Sequence, residues 1–147
     1  MHRAAALLFS LAAAPVAAQG IGGTWRGLYQ CGQGSTALTL TIAPAGKERV
    51  NALFHFEAAP DNPAVPAGCF EMTGRFEALS GRLTLDPSFW IARPADYVMV
   101  GLRGEMRGDT IAGQVEGPGC TEFRLARRSI PSAIAACRSL RRDVPHG

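Results

Sequence analysis

Phe70-Glu71-Met72-Thr73-Gly74-Arg75-Phe76-Glu77 alternates side chains one residue at a time, with Phe70, Met72, Gly74 and Phe76 on one parity and Glu71, Thr73, Arg75 and Glu77 on the other. A period of two puts one set on each face of a β-strand, so this strand buries one side and wets the other. The same rhythm recurs on both sides of it. Leu38, Leu40 and Ile42 alternate with Thr39 and Thr41. Val50, Ala52, Phe54 and Phe56 alternate with Asn51, Leu53, His55 and Glu57, and Leu83 and Leu85 alternate with Arg82, Thr84 and Asp86. One-sided burial is the habit of antiparallel sheets.

Turn signals punctuate these runs: Pro44-Ala45-Gly46, Ser80-Gly81, Arg107-Gly108-Asp109 and Gly117-Pro118-Gly119. They divide the chain into strands expected near 23–31, 35–43, 49–58, 69–78, 81–86, 96–104, 110–116 and 120–127. Two longer loops are expected at Ala59 to Gly68 and at Pro87 to Ala95. Eight short antiparallel strands must manage their edges, and closure into an up-and-down barrel removes them altogether. The fold expected is therefore all-β, an antiparallel eight-stranded barrel with a short C-terminal helix; a β-sandwich is the alternative. An outer-membrane barrel is disfavoured, since its outer face must be apolar and here that face carries Glu71, Arg75, Glu77 and Arg82.

The ends of the chain read differently. Arg3 followed by the apolar run Ala4 to Ala14, then Pro15 and the small residues Val16-Ala17-Ala18, has the form of a signal peptide cleaved near Ala18/Gln19. The run is too short to span a bilayer. Residues 19–128 are expected to form the barrel domain and 129–147 a helix and tail. In the tail Ala133, Ile134, Cys137 and Leu140 share a face at helical spacing. Pro131 suits the start of such a helix, which would be marginal alone and is best anchored through Cys137. Once residues 1–18 are removed, 14 Lys and Arg face 12 Asp and Glu. That balance implies no strong attraction to nucleic acid or to a membrane surface. Localisation is expected to be periplasmic or secreted, as a monomer.

Gly23-Thr24-Trp25 opens the first strand, and Arg124, Arg127 and Arg128 lie in or just after the last. This resembles the calycin pattern of lipocalins and avidins, which implies a barrel in which Trp25 packs against an arginine such as Arg127 as a structural pair. The chain departs from lipocalins in lacking a helix before that arginine, and it carries no avidin-type biotin pattern. A second resemblance covers Trp25-x-Gly27-x-Tyr29-x-Cys31-x-Gln33-Gly34, Pro66-x-Gly68-Cys69-Phe70-x-Met72-x-Gly74 and Gly119-Cys120-Thr121-x-Phe123. This string is similar to a family of exported bacterial domains without an assigned activity, and it implies that Cys31, Cys69 and Cys120 belong to a framework.

Four cysteines in an exported domain read as two disulfides, with three possible pairings. No C-x-x-C spacing favours zinc, and no metal or cofactor is expected. Barrel closure sets the end of the first strand beside the start of the last, which favours Cys31–Cys120 and leaves Cys69–Cys137. Strict alternation opposes this, since Cys31 shares a face with Trp25 while Cys120 falls opposite to Phe123; Gly117-Pro118-Gly119 can reset that register.

Little in the chain supports catalysis. His55 and Glu57 share a strand face at acid–base spacing, yet such a pair is more often a solvated or half-buried polar contact. No G-x-S-x-G, H-E-x-x-H, P-loop or dinucleotide motif occurs, so an enzyme is not expected. The mid-strand glycines Gly27, Gly74, Gly101 and Gly113 remove interior volume, whereas Phe54, Phe56, Phe70, Phe76 and Met72 restore it. The function expected is an exported soluble binding module for a small apolar molecule or lipid in the barrel, held by Phe54, Phe56, Phe70, Met72, Phe89, Trp90 and Tyr97. The alternative is a protein-binding module, such as a periplasmic hydrolase inhibitor, acting through the loop around Phe89 and Trp90. Arg138, Arg141 and Arg142 make the tail basic, most simply as a solvated face.

Overall fold

A computed structural model describes Leu7, Leu8, Ser10 and residues 20–143. The remainder of the expected signal segment, its cleavage point at Ala18/Gln19 and the last four residues lie outside the described residues. Eight strands follow in order: β1 (Gly23–Cys31), β2 (Gly34–Pro44), β3 (Arg49–Ala58), β4 (Gly68–Glu77), β5 (Arg82–Ala92), β6 (Gly101–Arg107), β7 (Thr110–Glu116) and β8 (Glu122–Arg127); the helix α1 (Ala133–Asp143) ends the chain. Each strand pairs antiparallel with the next, and β8 returns to β1 to close the barrel. The closing seam runs from Trp25 opposite Arg127 to Tyr29 opposite Phe123. The sandwich alternative is therefore set aside.

Alternation sends Leu38, Leu40, Phe54, Phe56, Phe70, Met72, Leu83 and Leu85 inward, where each is essentially fully buried. Phe54 lies between Tyr29, edge-on at 5.1 Å, and Phe70, stacked at 4.5 Å. An eight-stranded barrel is just wide enough for side chains to fill, and the middle of this one is filled. The inward glycines have a different purpose from the one their positions suggest. A Cβ added at Gly27 or Gly74 would run into the backbone oxygen of Arg124 or Thr84 on the neighbouring strand. Glycine there lets strands bend sharply against each other at a barrel corner; it does not hollow the interior.

Two strand expectations need correction. Pro87 to Ala95 is not a loop throughout: β5 continues to Ala92, and only Arg93 onward leaves the sheet. The cause is a pair of register shifts against β4, where Ser88 and Ile91 are extra residues. Each bulge flips the alternation, so Trp90 pairs with Phe70 on the inner side while Phe89 pairs with Glu71 on the outer side. The strand expected at 96–104 instead occupies Gly101–Arg107, and β5 pairs with β6 over only Arg82 to Leu85. Beyond Leu85 the two strands splay, and the connection from Arg93 to Val100 takes the place of sheet.

Two disulfides join Cys31 to Cys120 and Cys69 to Cys137. Cys120 precedes β8 and lies outside the ladder, so strand parity does not govern where its side chain points. The second bridge fastens α1 to the outer face of the barrel, where Cys69, Ala133 and Cys137 are buried with Leu53, Ile91 and Leu140 around them. Thr41 Oγ1 accepts the Ala133 N–H at 2.9 Å and so caps the first turn. Ile134, expected on the buried face, remains 44% exposed. The buried stripe is Ala133 and Cys137 with Leu140 partly buried beside them, and Ile134 sits on its shoulder.

Candidate functional site

The two ends of the barrel are built differently. At one end the Arg127 guanidinium lies 4.2 Å over the Trp25 ring. It donates to Gly22 O at 2.8 Å and Gly20 O at 2.7 Å, while Trp25 Nε1 donates to Ile21 O at 3.0 Å. These bonds draw the segment before β1 across the opening. Ile21 is buried there and covers part of the opening, beside a hollow of about 590 Å³ that Pro44, Val50 and Phe76 also line.

At the other end, the β1–β2 turn, the Arg93 to Val100 connection and the Gly117 to Cys120 turn surround a cavity of about 270 Å³. Its floor and walls include Tyr29, Phe56, Phe70, Tyr97 and Val100, and the Cys31–Cys120 bridge borders it. The bridge ties the end of β1 to the segment leading into β8 at this rim. Tyr97 stacks on Phe56 at 5.4 Å with an interplanar angle of 11°. Trp90 meets Phe70 edge-on at 5.2 Å and Phe56 at 6.2 Å. Arg93 lies 5.9 Å over Trp90 and donates from Nε to Tyr97 O at 2.9 Å, which ties the connection together. Asp96 beside Tyr97 has φ of +67°, a left-handed conformation that non-glycine residues seldom adopt and that marks segments shaped by more than chain propensity.

The polar side of this mouth is ordered from outside, by the connection between β3 and β4. Asn62 on that connection donates from Nδ2 to Gln33 O at 2.7 Å and Ser35 O at 3.0 Å, pinning the β1–β2 turn. Gln33 Nε2 then donates to Thr36 Oγ1 at 3.1 Å and to the Tyr29 hydroxyl at 3.3 Å. Burial pushes the Tyr29 hydroxyl well above the ordinary phenol value, Tyr97 adds in the same direction, and the polar side chains of Thr36 and Gln33 oppose it. Tyr29 is therefore a neutral phenol at any physiological pH.

The seven residues expected to hold a ligand are divided by the structure. Phe56, Phe70 and Tyr97 border the cavity, and Trp90 supports it from behind. Phe54 and Met72 lie deeper in the filled core. Phe89 points outward at 55% exposure, beside Ile134 in a groove next to α1. Tyr29, Gln33, Asn62 and Val100 were missed. Tyr29 shares parity with Trp25 and so was readable as inward-facing, but a polar ring at the end of a strand gives no sequence sign of facing a cavity. Gln33 and Asn62 are brought together only by the closed topology.

His55 and Glu57 do not form an acid–base pair. Glu57 Oε1 accepts from Arg26 NH1 at 2.8 Å, while His55 is buried on the outer face between Thr39 and Cys69 of the adjacent strands. Burial lowers the His55 pKa, with Glu57 opposing and Arg26 reinforcing that shift. Among the described residues no group of three His, Cys, Asp or Glu side chains converges as metal ligands, and no helix is long and apolar enough to cross a membrane. Comparison with protein-family models, curated proteins and solved structures found no match to this chain.

Proposed function

We propose that this chain is an exported binding module of the calycin type that holds a compact apolar molecule at the open mouth of its barrel, without catalysing a reaction on it. The observation that carries this reading is the aromatic-walled hollow between Tyr29, Phe56, Phe70, Tyr97 and Val100. Small-molecule sites combine mostly apolar walls with a few placed polar groups, and this hollow has that composition. Its volume lies just below the usual span for such sites of roughly 300–1,000 Å³, and the core beneath it is filled. Both facts favour a ring-sized ligand over an acyl chain. The calycin assignment rests on Trp25 beneath Arg127 at the opposite end of the barrel. Export rests on the signal-like first 18 residues and on two disulfides, which suit a periplasmic or extracellular setting.

Native mass spectrometry of the protein purified from its own host, before and after unfolding, tests this. The expected result is a mass excess of one small molecule that disappears on denaturation. A chain that carries no excess and binds no ring compound in titration would contradict the reading.

A second reading has its own support. The filled interior, together with exposed Phe89 and Ile134 lining an outer groove of about 420 Å³, suits a protein-binding module such as a periplasmic hydrolase inhibitor. Isolation of a stable complex that is lost on Phe89→Ser would favour it.

A further inference from the structure

Helix α1 lies against β2 to β5 and leaves the outer face of β6, β7 and β8 to solvent, where Glu105, Arg107, Gln114 and Arg124 are exposed. On the inner side of this half, Gly104 of β6 pairs with Gly113 of β7, and a Cβ on Gly104 would run into the Phe123 ring. Such close approach marks a sharp bend of the sheet, and the outer surface over the pair is a hollow of about 560 Å³. Its floor is small, formed by Thr84, Thr110 and Ala112 beside the two glycines. Four arginines rim it, Arg82, Arg103, Arg107 and Arg124, with Glu105 as the one carboxylate among them. Asp86 and Glu116 hold Arg103 at 2.6 and 3.3 Å, and Glu105 holds Arg107 at 2.9 Å. Arg82 and Arg124 are exposed and form no ion pair among the described residues. They end one row of the sheet: Arg82 lies beside Glu105, Glu105 beside Ala112, and Ala112 beside Arg124. Three strand spacings separate them, about 14 Å along the wall. Leu28 of β1 comes next in that row and is 43% exposed.

We infer that this hollow docks an acidic segment of a partner protein, extended across the strands, with two carboxylates about four residues apart meeting Arg82 and Arg124. Extended chain advances roughly 3.3 Å per residue, so positions i and i+4 stand about 13 Å apart, which matches the span between the two arginines. Each guanidinium offers a planar fork that takes a carboxylate through two bonds. The carboxylates already on this face select against a denser polyanion. Glu105 lies between the two free arginines and Asp86 and Glu116 lie to one side, so an unbroken row of phosphates or sulfates meets repulsion that the neutral residues of a peptide avoid. Exposed Leu28 adds an apolar contact at the end of the row, and arginine with apolar neighbours is the composition that protein interfaces favour. The site is separate from the mouth and from the groove beside Phe89, and it stands whether or not either is occupied.

The test titrates capped glycine–serine peptides into the isotope-labelled, disulfide-bonded protein at low ionic strength, where surface charge is least screened. One probe carries two glutamates four positions apart, a second carries them adjacent, and a third carries glutamines instead. We expect saturable amide shifts at Thr84, Thr110, Ala112 and Gly113 with the spaced probe, several-fold weaker binding of the adjacent one, and none of the glutamine peptide. The double variant Arg82→Gln/Arg124→Gln should weaken the spaced probe by roughly 5- to 25-fold, the upper range for two exposed ion pairs. Arg138→Gln/Arg141→Gln makes the same change in net charge on α1 and should leave binding unaltered. All four substitutions fall on exposed side chains, so both variants keep the fold. Equal losses in the two variants would reduce the effect to overall charge and overturn the inference. Absence of saturable binding by the spaced probe, or equal binding of the adjacent or glutamine peptide, would overturn it as well. Tighter binding of a sulfated oligosaccharide or a single-stranded oligonucleotide of matched charge at the same residues would overturn the protein assignment.

Discussion

Replacing Cys31 and Cys120 together by alanine should cost far more than replacing Cys69 and Cys137, although chain entropy alone ranks them nearly equal. The separations are 89 and 68 residues, for which loop-closure entropy gives about 4.6 and about 4.4 kcal/mol at 25 °C. The structure separates the two. Cys31 and Cys120 bridge the seam between the first and last strands at the mouth, so the folded barrel gains little freedom when the bridge goes. Most of the roughly 4.6 kcal/mol is then lost from stability, a fall in Tm of roughly 15 °C for a chain of this size. Cys137 instead sits on a helix with only Ala133 and Cys137 fully buried. When its bridge goes, the helix can leave the barrel, and the folded state regains entropy that offsets much of the unfolded state's gain. The loss in global stability should be about 2 kcal/mol or less, accompanied by loss of amide protection across Ala133–Asp143. Guanidinium unfolding followed by tryptophan fluorescence, with hydrogen exchange on each double variant, measures both. Equal losses for the two pairs would show that α1 is integral to the core and refute the reasoning.

Three further outcomes follow from the same structure. Arg127→Ala should destabilise the fold by about 2–3 kcal/mol, through the lost cation–π contact and two charge-assisted bonds to backbone carbonyls, and Arg127→Lys should restore less than half of this in denaturant titration. Gly74→Ala should cost at least about 2 kcal/mol, because its Cβ would meet Thr84 backbone; a neutral result in thermal unfolding would mean that β4 and β5 are further apart. Because burial holds the folded His55 pKa below its ordinary 6.5, the unfolded state binds the proton more readily. Stability from this group is thus complete above about pH 7 and lost as pH falls through 6.5 toward the folded value. His55→Gln should flatten that slope in unfolding free energies measured across the range.

Legibility tracked regularity. Leu38, Leu40, Phe54, Phe56, Phe70 and Met72 lie inside because an unbroken period of two assigns a face without ambiguity, and closure of eight such strands follows from edge management. The sequence misleads where the period breaks. Two extra residues in β5, Ser88 and Ile91, make a strand resemble a loop, and the one at Ser88 exchanges the faces that unbroken parity from Leu83 and Leu85 would give Phe89 and Trp90. Only the partner strand reveals those bulges. The mouth was half legible for a related reason. Its aromatic walls follow from alternation, whereas Asn62, Gln33 and Tyr29 form one polar chain only because distant connections meet above the barrel. Mid-strand glycines were legible as special but not in their purpose, since the backbone that approaches Gly27 belongs to β8.

The most direct test of ligand binding at the mouth is a backbone chemical-shift map of the isotope-labelled protein titrated with ethylbenzene. The account predicts saturable shifts concentrated at Tyr29, Gln33, Phe56, Tyr97 and Val100, with Trp25 and Ile134 unmoved. Shifts confined to the groove of Phe89 and Ile134, or no saturable shift at all, would contradict it.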